Sequence, residues 1–298
     1  MRVGIGLPAA VPGIDATVIG PWAAQSERAG FASLGVIDRL VYDNLDPLVA
    51  LAAAAACTER VELLTTVLNV GYRRNPTLLA KQIASVDQLS GGRLSVGLAL
   101  GGWPEDYASS DVSLSARGAT FEATLAAMRD VWSGSVSGAS GPMPALAPGR
   151  PGVLIGGLVT ASFARAAAHG DGWVAPSFGF EVLKEGITKT RLAWSDAGRQ
   201  TEPRIVVERY FSLGGGADET ADHYLMHYYG SDYFADVRAD ALTSRERIDD
   251  QLQRLAEVGC DDVILLPCSG EVDQVGLLSE TVSDSFKTTQ NPFGTNDT

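Results

Sequence analysis

Short apolar runs alternate with longer amphipathic ones along nearly the whole chain. Runs of strand length fall at residues 3–7, 33–37, 61–68, 94–100, 153–156, 173–175, 204–211 and 263–267. Between them, apolar positions recur at helical spacing over 17–30, 47–57, 76–89, 115–132, 160–169, 180–197, 244–258 and 272–282. Gly30 stands where a helix end wants a left-handed residue, and Thr243 with Glu246 reads as a capping box. The 47–57 segment is apolar nearly all round, which predicts a sandwiched helix. Eight strand patterns, nearly all separated by helices, predict an α/β fold, a closed parallel (β/α)8 TIM barrel. A doubly wound open sheet is the alternative, and eight consecutive units favour closure. A further helical pattern near 217–230 reads as an insert between strands seven and eight. The Gly-, Ser-, Pro- and Ala-rich stretch 133–150 reads as a long loop. One domain is expected over 1–282, with 283–298 a disordered tail.

Charge narrows the partners. With 23 basic against 36 acidic residues, the net charge of −13 disfavours nucleic acid and anionic membrane surfaces. The opening MRVGIGLP enters a strand pattern directly, and no apolar run approaches the roughly 18 residues of a membrane span. Cys57, Cys260 and Cys268 make neither a disulfide framework nor a CxxC pair. These features predict a cytoplasmic protein acting on a small molecule.

In a parallel barrel the chemistry lies at the C-terminal strand ends. Those ends read Leu7-Pro8, Ile37-Asp38-Arg39, Thr65 to Asn69, Gly101-Gly102-Trp103, Gly156-Gly157, Pro176-Ser177, Arg209-Tyr210 and Pro267-Cys268-Ser269. No histidine and no carboxylate cluster appears there, so the rim offers neither a metal-ligand set nor a nucleophile–base pair. Glycine, hydroxyl and aromatic groups suit a flat organic cofactor that brings its own reactivity. Gly156-Gly157 precedes one helix and Ser177-Phe178-Gly179 another, and helix N-termini offer free N–H groups to a phosphate. Tight strand-to-helix turns are the alternative explanation of those glycines.

These residues also carry a family resemblance. In order they are Ala29-Gly30-Phe31 leading to Asp38, Asn75-Pro76 opening a helix with Ala80-Lys81, and LSGGRLSVGLALGGW from Leu89 to Trp103. Ala116-Arg117-Gly118 with Phe121-Glu122, Gly156-Gly157, and Gly170-Asp171-Gly172-Trp173 follow. Together they resemble the bacterial luciferase-like monooxygenase superfamily, nearest its flavin- and deazaflavin-dependent actinobacterial branch. The resemblance runs from about Val3 to Pro267. It implies an oxidoreductase barrel binding FMN or the 8-hydroxy-5-deazaflavin coenzyme (coenzyme F420) at its C-terminal face, with pairing into a homodimer. It also implies a non-proline cis peptide at the end of strand three. Aligned on Asn75-Pro76, that bond falls between Thr66 and Val67; the alternative is an ordinary strand end there. The implied cofactor residues are Asp38, Thr66, Val67, Leu100, Gly101, Gly156, Gly157, Ser177, Phe178 and Gly179.

Arg39 departs from the family. Many family members carry histidine after the aspartate, and in the deazaflavin alcohol dehydrogenases it is a catalytic base, a role arginine cannot fill because it stays protonated; the same relatives place a glutamate where Gly102 stands here. Arg39 and Trp103 are the candidate catalytic residues, with Arg39 either stabilising an anionic reduced ring or simply paired with Asp38, Asp43 or Asp46. His223 and His227 lie one helical turn apart but lack a third ligand, so a solvated face is expected. The aromatics Tyr224, Tyr228, Tyr229, Tyr233 and Phe234 suit a lid over the mouth or simple packing of the insert. Arg73-Arg74 could reach an anionic cofactor tail or lie exposed. The reading that follows is a hydride-transferring or oxygen-activating enzyme, with a non-catalytic flavin-binding barrel as the alternative.

Overall fold

The structure, a computed structural model, describes residues 1–289. Its strands are β1 (Arg2–Gly6), β2 (Ser33–Val36), β3 (Glu62–Asn69), β4 (Leu94–Ala99), β5 (Ser137–Gly138), β6 (Gly141–Pro142), β7 (Gly152–Gly156), β8 (Gly172–Ala175), β9 (Arg204–Phe211) and β10 (Asp262–Pro267). Eight of them form a closed barrel in the order β1-β10-β9-β8-β7-β4-β3-β2, parallel at every pairing. The expected (β/α)8 barrel is therefore present. β5 and β6 pair antiparallel within the stretch read as a featureless loop.

The helices are α1 (Ile19–Ala29), α2 (Pro47–Ala56), α3 (Pro76–Leu89), α4 (Pro104–Ser109), α5 (Arg117–Trp132), α6 (Thr160–His169), α7 (Phe180–Asp196), α8 (Ala217–Ala239), α9 (Arg245–Glu257) and α10 (Asp273–Thr289). Local chemistry explains their ends. Asp46 accepts from the amides of Leu48 and Val49, and Asn75 from that of Leu78, each just before a proline in the first turn. Gly30 takes the left-handed conformation, φ +93°, that ends α1. The cap of α9 is Ser244 rather than Thr243, because the Thr243 hydroxyl is engaged by Asp218 of α8. The insert is longer than its sequence pattern: α8 continues past a non-helical Gly230 to Ala239. α10 runs on to Thr289 instead of stopping at 282, so the start of the expected tail is helical; residues 290–298 lie outside the described part.

Side chains alternate across each strand, and this splits the core in two. On β9, Ile205, Val207 and Phe211 pack outward with Trp22, Phe121 and Trp173 under the helices. Val206 and Tyr210 point inward with Leu64, Leu154, Val174 and Ile264. The N-terminal end of the barrel holds an ion cluster. Arg204 contacts Glu62 at 2.7 Å and Asp262 at 2.8 Å, while Arg2 reaches Asp262 at 2.7 Å. Burial pushes the Glu62 carboxyl up, but the hydrogen bond and charge of Arg204 outweigh it and leave its pKa below the ordinary value. These charges occupy the N-terminal end of the barrel, opposite the strand ends that carry the candidate residues.

Candidate functional site

β3 loses register with β4 between Thr65 and Leu68, and the Thr66–Val67 peptide at that bulge is cis. The bond lies where the family resemblance implied it. Neighbouring strands make room for the bulge with glycine. A Cβ on Gly156 would come 2.9 Å from Val67 Cγ1, and one on Gly97 would come 2.4 Å from the Thr65 carbonyl. A cavity of about 260 Å³ opens beside this bulge. Six of the expected cofactor residues line it: Thr66, Val67, Gly101, Gly156, Gly157 and Phe178. Asn69, Ala99, Leu158, Val174, Pro176 and Glu208 complete it.

The other four expected cofactor residues lie elsewhere. Asp38 is buried and accepts from the Asn69 amide at 2.8 Å, Tyr72 Oη at 3.0 Å and Arg73 Nη2 at 3.0 Å. It fixes the end of β3, where Asn69 reaches the cavity, and the segment that follows. Burial pushes the Asp38 carboxyl up, against the charge of Arg73. The Leu100 carbonyl accepts from the Tyr107 hydroxyl. Ser177 is buried with its hydroxyl unbonded, outside the cavity lining. Gly179 donates its amide to Asp240 at 2.9 Å, and Asp240 also faces Arg209 at 3.4 Å.

That last contact bears on one of the two expected phosphate seats. The N-terminus of α7 already holds a carboxylate, so its positive end is answered from within the chain. The N-terminus of α6 differs: Val159 gives it no side-chain cap, and it begins three residues after Gly157 on the cavity wall. Gly157 adopts φ +122°, where a Cβ would lie 2.5 Å from Ser162 Oγ, so only glycine fits this turn. Its carbonyl is fixed by the Trp173 indole at 2.9 Å.

Arg39 and Trp103 pack on one another outside the cavity lining. The guanidinium carbon lies 3.8 Å from the indole centroid. Arg39 also contacts Glu105 at 2.6 Å, Asp106 at 3.8 Å and the Tyr228 carbonyl at 3.3 Å. Neither of the ion pairs is among those expected. Asp38 is held by Arg73, Asp43 accepts from the Gly13 amide, and Asp46 caps α2. The actual partners come from α4, a helix announced by proline and two acidic residues in its first turn.

Helix α8 crosses above. Tyr228, Tyr229 and Tyr233 contact Trp103 with ring centroids 6.2–6.4 Å apart, and Tyr233 contacts Phe178 at 6.0 Å. The insert therefore roofs the mouth with aromatic rings. His227 bonds Tyr42 at 2.8 Å, and no group of three potential metal ligands occurs among the described residues. Arg73 turns inward to Asp38, whereas Arg74 is exposed beside Asp111.

Glu208 was missed by inspecting strand ends alone. The alternation of Val206, Glu208 and Tyr210 along an otherwise apolar strand was the available signal. It carries the one ionisable side chain lining the cavity. Burial raises its pKa to about 8, against the opposing pull of the Thr66 hydroxyl and the Arg209 charge.

A closed parallel barrel with a small-molecule cavity among its C-terminal strand ends defines the class of protein. The sequence profile of luciferase-like monooxygenases matches residues 1–259, and the chain belongs to that family. An uncharacterized protein of Mycobacterium tuberculosis (strain ATCC 25618 / H37Rv) is 32% identical over 173 residues, 55% of this chain and 61% of that one. The chain thus spans about three fifths of the length of such relatives. An F420-dependent glucose-6-phosphate dehydrogenase of Kribbella flavida is 27% identical over 237 residues, 70% of each chain.

Solved structures share the fold. Monooxygenase RslO1 from Streptomyces bottropensis superposes with a TM-score of 0.78 at 22% identity, over 96% of this chain and 100% of that one. An F420-dependent secondary alcohol dehydrogenase in complex with an F420-acetone adduct gives 0.74 at 18% identity, over 95% and 99%. The oxygenating constituent of 3,6-diketocamphane monooxygenase from Pseudomonas putida, in complex with FMN, gives 0.69 at 17%, over 95% and 96%.

Proposed function

We propose that this chain is an oxidoreductase that binds coenzyme F420 or FMN at the cavity beside Thr66 and Val67. There it transfers a hydride to, or oxygenates, a small organic substrate. The observation that carries the reading is the joining of three features on one wall: the Thr66–Val67 bulge, glycines at 101, 156 and 157, and the uncapped start of α6. A flat ring needs backbone without side-chain bulk, and its phosphate needs N–H donors.

The residues present fit such a group. Glycines clear its approach, Phe178 offers an apolar face, and no lysine or arginine lines the cavity to compete with the amides for the phosphate. The cavity alone is smaller than the about 300–1,000 Å³ usual for a whole ligand site. Residues beyond this lining, such as Tyr233 of α8 where it meets Trp103 and Phe178, would hold the rest of the cofactor and the substrate. When bound, the group supplies two-electron chemistry, and with FMN also reactivity towards oxygen. The chain's part is to bind, orient and exclude water: Trp103, Tyr228 and Tyr233 close the mouth, and Asp38 anchors the strand end that carries Asn69.

Names of relatives and fold neighbours support both cofactors, with F420 favoured by the relative from Kribbella flavida. Turnover separates them. Purified protein with reduced F420 under anaerobic conditions, or with reduced FMN in air, is offered a panel of ketones, enones and aldehydes. Substrate-dependent oxidation of F420, or oxygenated product with FMN, supports the reading. Absence of turnover with both cofactors across the panel contradicts it.

A further inference from the structure

The cavity is apolar apart from Thr66, Asn69 and Glu208. Asn69 is already committed through its amide group, which donates to the Asp38 carbonyl at 2.8 Å. Glu208 reaches the cavity from the inner face of β9, is 7% exposed, and leaves Oε2 without a hydrogen-bond partner. The groups facing it are uncharged: the Thr66 hydroxyl from β3, Tyr210 on its own strand, and Tyr228 and Tyr229 from α8. Tyr210 and Tyr229 are bonded to one another at 2.8 Å. The adjacent cation, Arg209, donates Nη1 to the main-chain carbonyl of Glu208 and turns its other nitrogen towards Asp240. No salt bridge therefore answers a carboxylate at this position, and an unpaired buried charge is heavily disfavoured.

We propose that Glu208 stands in the site as a neutral carboxylic acid and donates a hydrogen bond to a carbonyl-bearing edge of the flat ligand. This deepens the cofactor reading above and rests on it. A protonated carboxyl has one O–H to give, the Glu208 side chain lines the cavity wall, and its buried Oε2 has no partner within the chain. The preferred ligand therefore presents an acceptor, such as the carbonyl of a heteroaromatic ring, towards β9. Ionisation reverses the interaction, because a carboxylate facing a carbonyl oxygen sets two acceptors against each other. Ligand binding and the Glu208 proton are linked, and alkaline pH releases the ligand.

The test is a fluorescence titration with FMN and with coenzyme F420, from about pH 6.5 to about pH 9.5, on the wild type and Glu208→Gln. Glutamine keeps a donor of the same size and cannot ionise. For the wild type, Kd is expected to be flat below about pH 7.5 and to rise towards about tenfold per pH unit above about pH 8, while the variant holds its low-pH Kd within about threefold throughout. Any ionisation of the ligand itself appears in both proteins and cancels in the comparison. Parallel profiles for the two proteins overturn the inference while leaving the cofactor site intact. Failure of both proteins to bind either ligand at any pH overturns the cofactor reading, and the inference with it.

A second measurement needs neither ligand nor variant. Among the described glutamates, only Glu208 is buried. Isotope labelling of glutamate side chains therefore isolates its protonated-carboxyl band in the infrared spectrum. The band is expected to persist at about pH 7 and vanish above about pH 8; its absence at about pH 7 overturns the proposal.

Discussion

The guanidinium carbon of Arg39 lies over the Trp103 indole, 3.8 Å from its centroid. Two elements far apart in sequence meet here: the end of β2 and the start of α4. The charge is already answered by Glu105 and Asp106 of that helix. We infer that Arg39 serves as a stacked, ion-paired group beside Trp103 rather than as a free cation for an anionic ring.

Replacing Arg39 by methionine tests this. The buried Asp106 loses a nearby cation and the stack is lost, so stability is expected to fall by about 2 kcal/mol. The reduction potential of bound FMN is expected to stay where it was. A potential that becomes markedly more negative in the variant would show instead that this charge reaches the ring.

The turn at Gly157 admits no side chain. Gly157→Ala forces a φ of +122° on a residue with a Cβ, and sets that Cβ 2.5 Å from Ser162 Oγ. A stability loss of about 1–3 kcal/mol is expected, together with a rise in Kd for FMN or F420 of about tenfold or more as the α6 amides shift. Thermal unfolding and a binding titration on the same samples read the two effects. Unchanged affinity would remove this turn from the phosphate seat.

Glu208 also shapes stability against pH. Its carboxyl has an ordinary value of 4.5 and a folded-state value of about 8, so between them the folded chain holds the extra proton. Stability from this group is complete below about pH 4.5, declines as pH rises, and levels off above about pH 8. Every tenfold difference in proton affinity between the folded and unfolded chain is worth about 1.4 kcal/mol. Glu208→Gln is therefore expected to match the wild-type Tm near about pH 5 and to exceed it by about 4 °C or more near about pH 8.5. A gap that shrinks as pH rises would contradict the assignment.

At the other end of the barrel, Arg204 holds Glu62 and Asp262 together inside the N-terminal opening. Arg204→Ala leaves two enclosed carboxylates without their main cation, and a loss of about 3–5 kcal/mol is expected. Denaturant unfolding measures it. The cofactor Kd should hardly change, since the ion cluster lies at the opposite end from the ligand cavity.

Much of this was legible in the chain itself. The eight strands and their helices follow from periodicity, whereas the irregularity at Thr66–Val67 was implied only by the family resemblance, aligned on Asn75-Pro76. What stayed hidden depended on contacts between distant segments. Nothing local to Arg39 points to Glu105, 66 positions away. Asp240 reaches the start of α7 only because α8 runs on past Gly230 and returns to the barrel. Glu208 was readable in the alternation of β9, yet strand-end inspection passes over it because it lies three residues short of the end.

The central claim is that a phosphorylated flat ring binds beside Thr66, Val67 and Gly157. Equilibrium titration of the purified protein with FMN and with coenzyme F420 at about pH 7, followed by ligand fluorescence and by Tm, tests it most directly. Saturable binding of at least one, weakened by Gly157→Ala and raising the Tm as mass action requires, is the expected result. Fluorescence and Tm that do not respond to saturating amounts of both ligands would contradict the account.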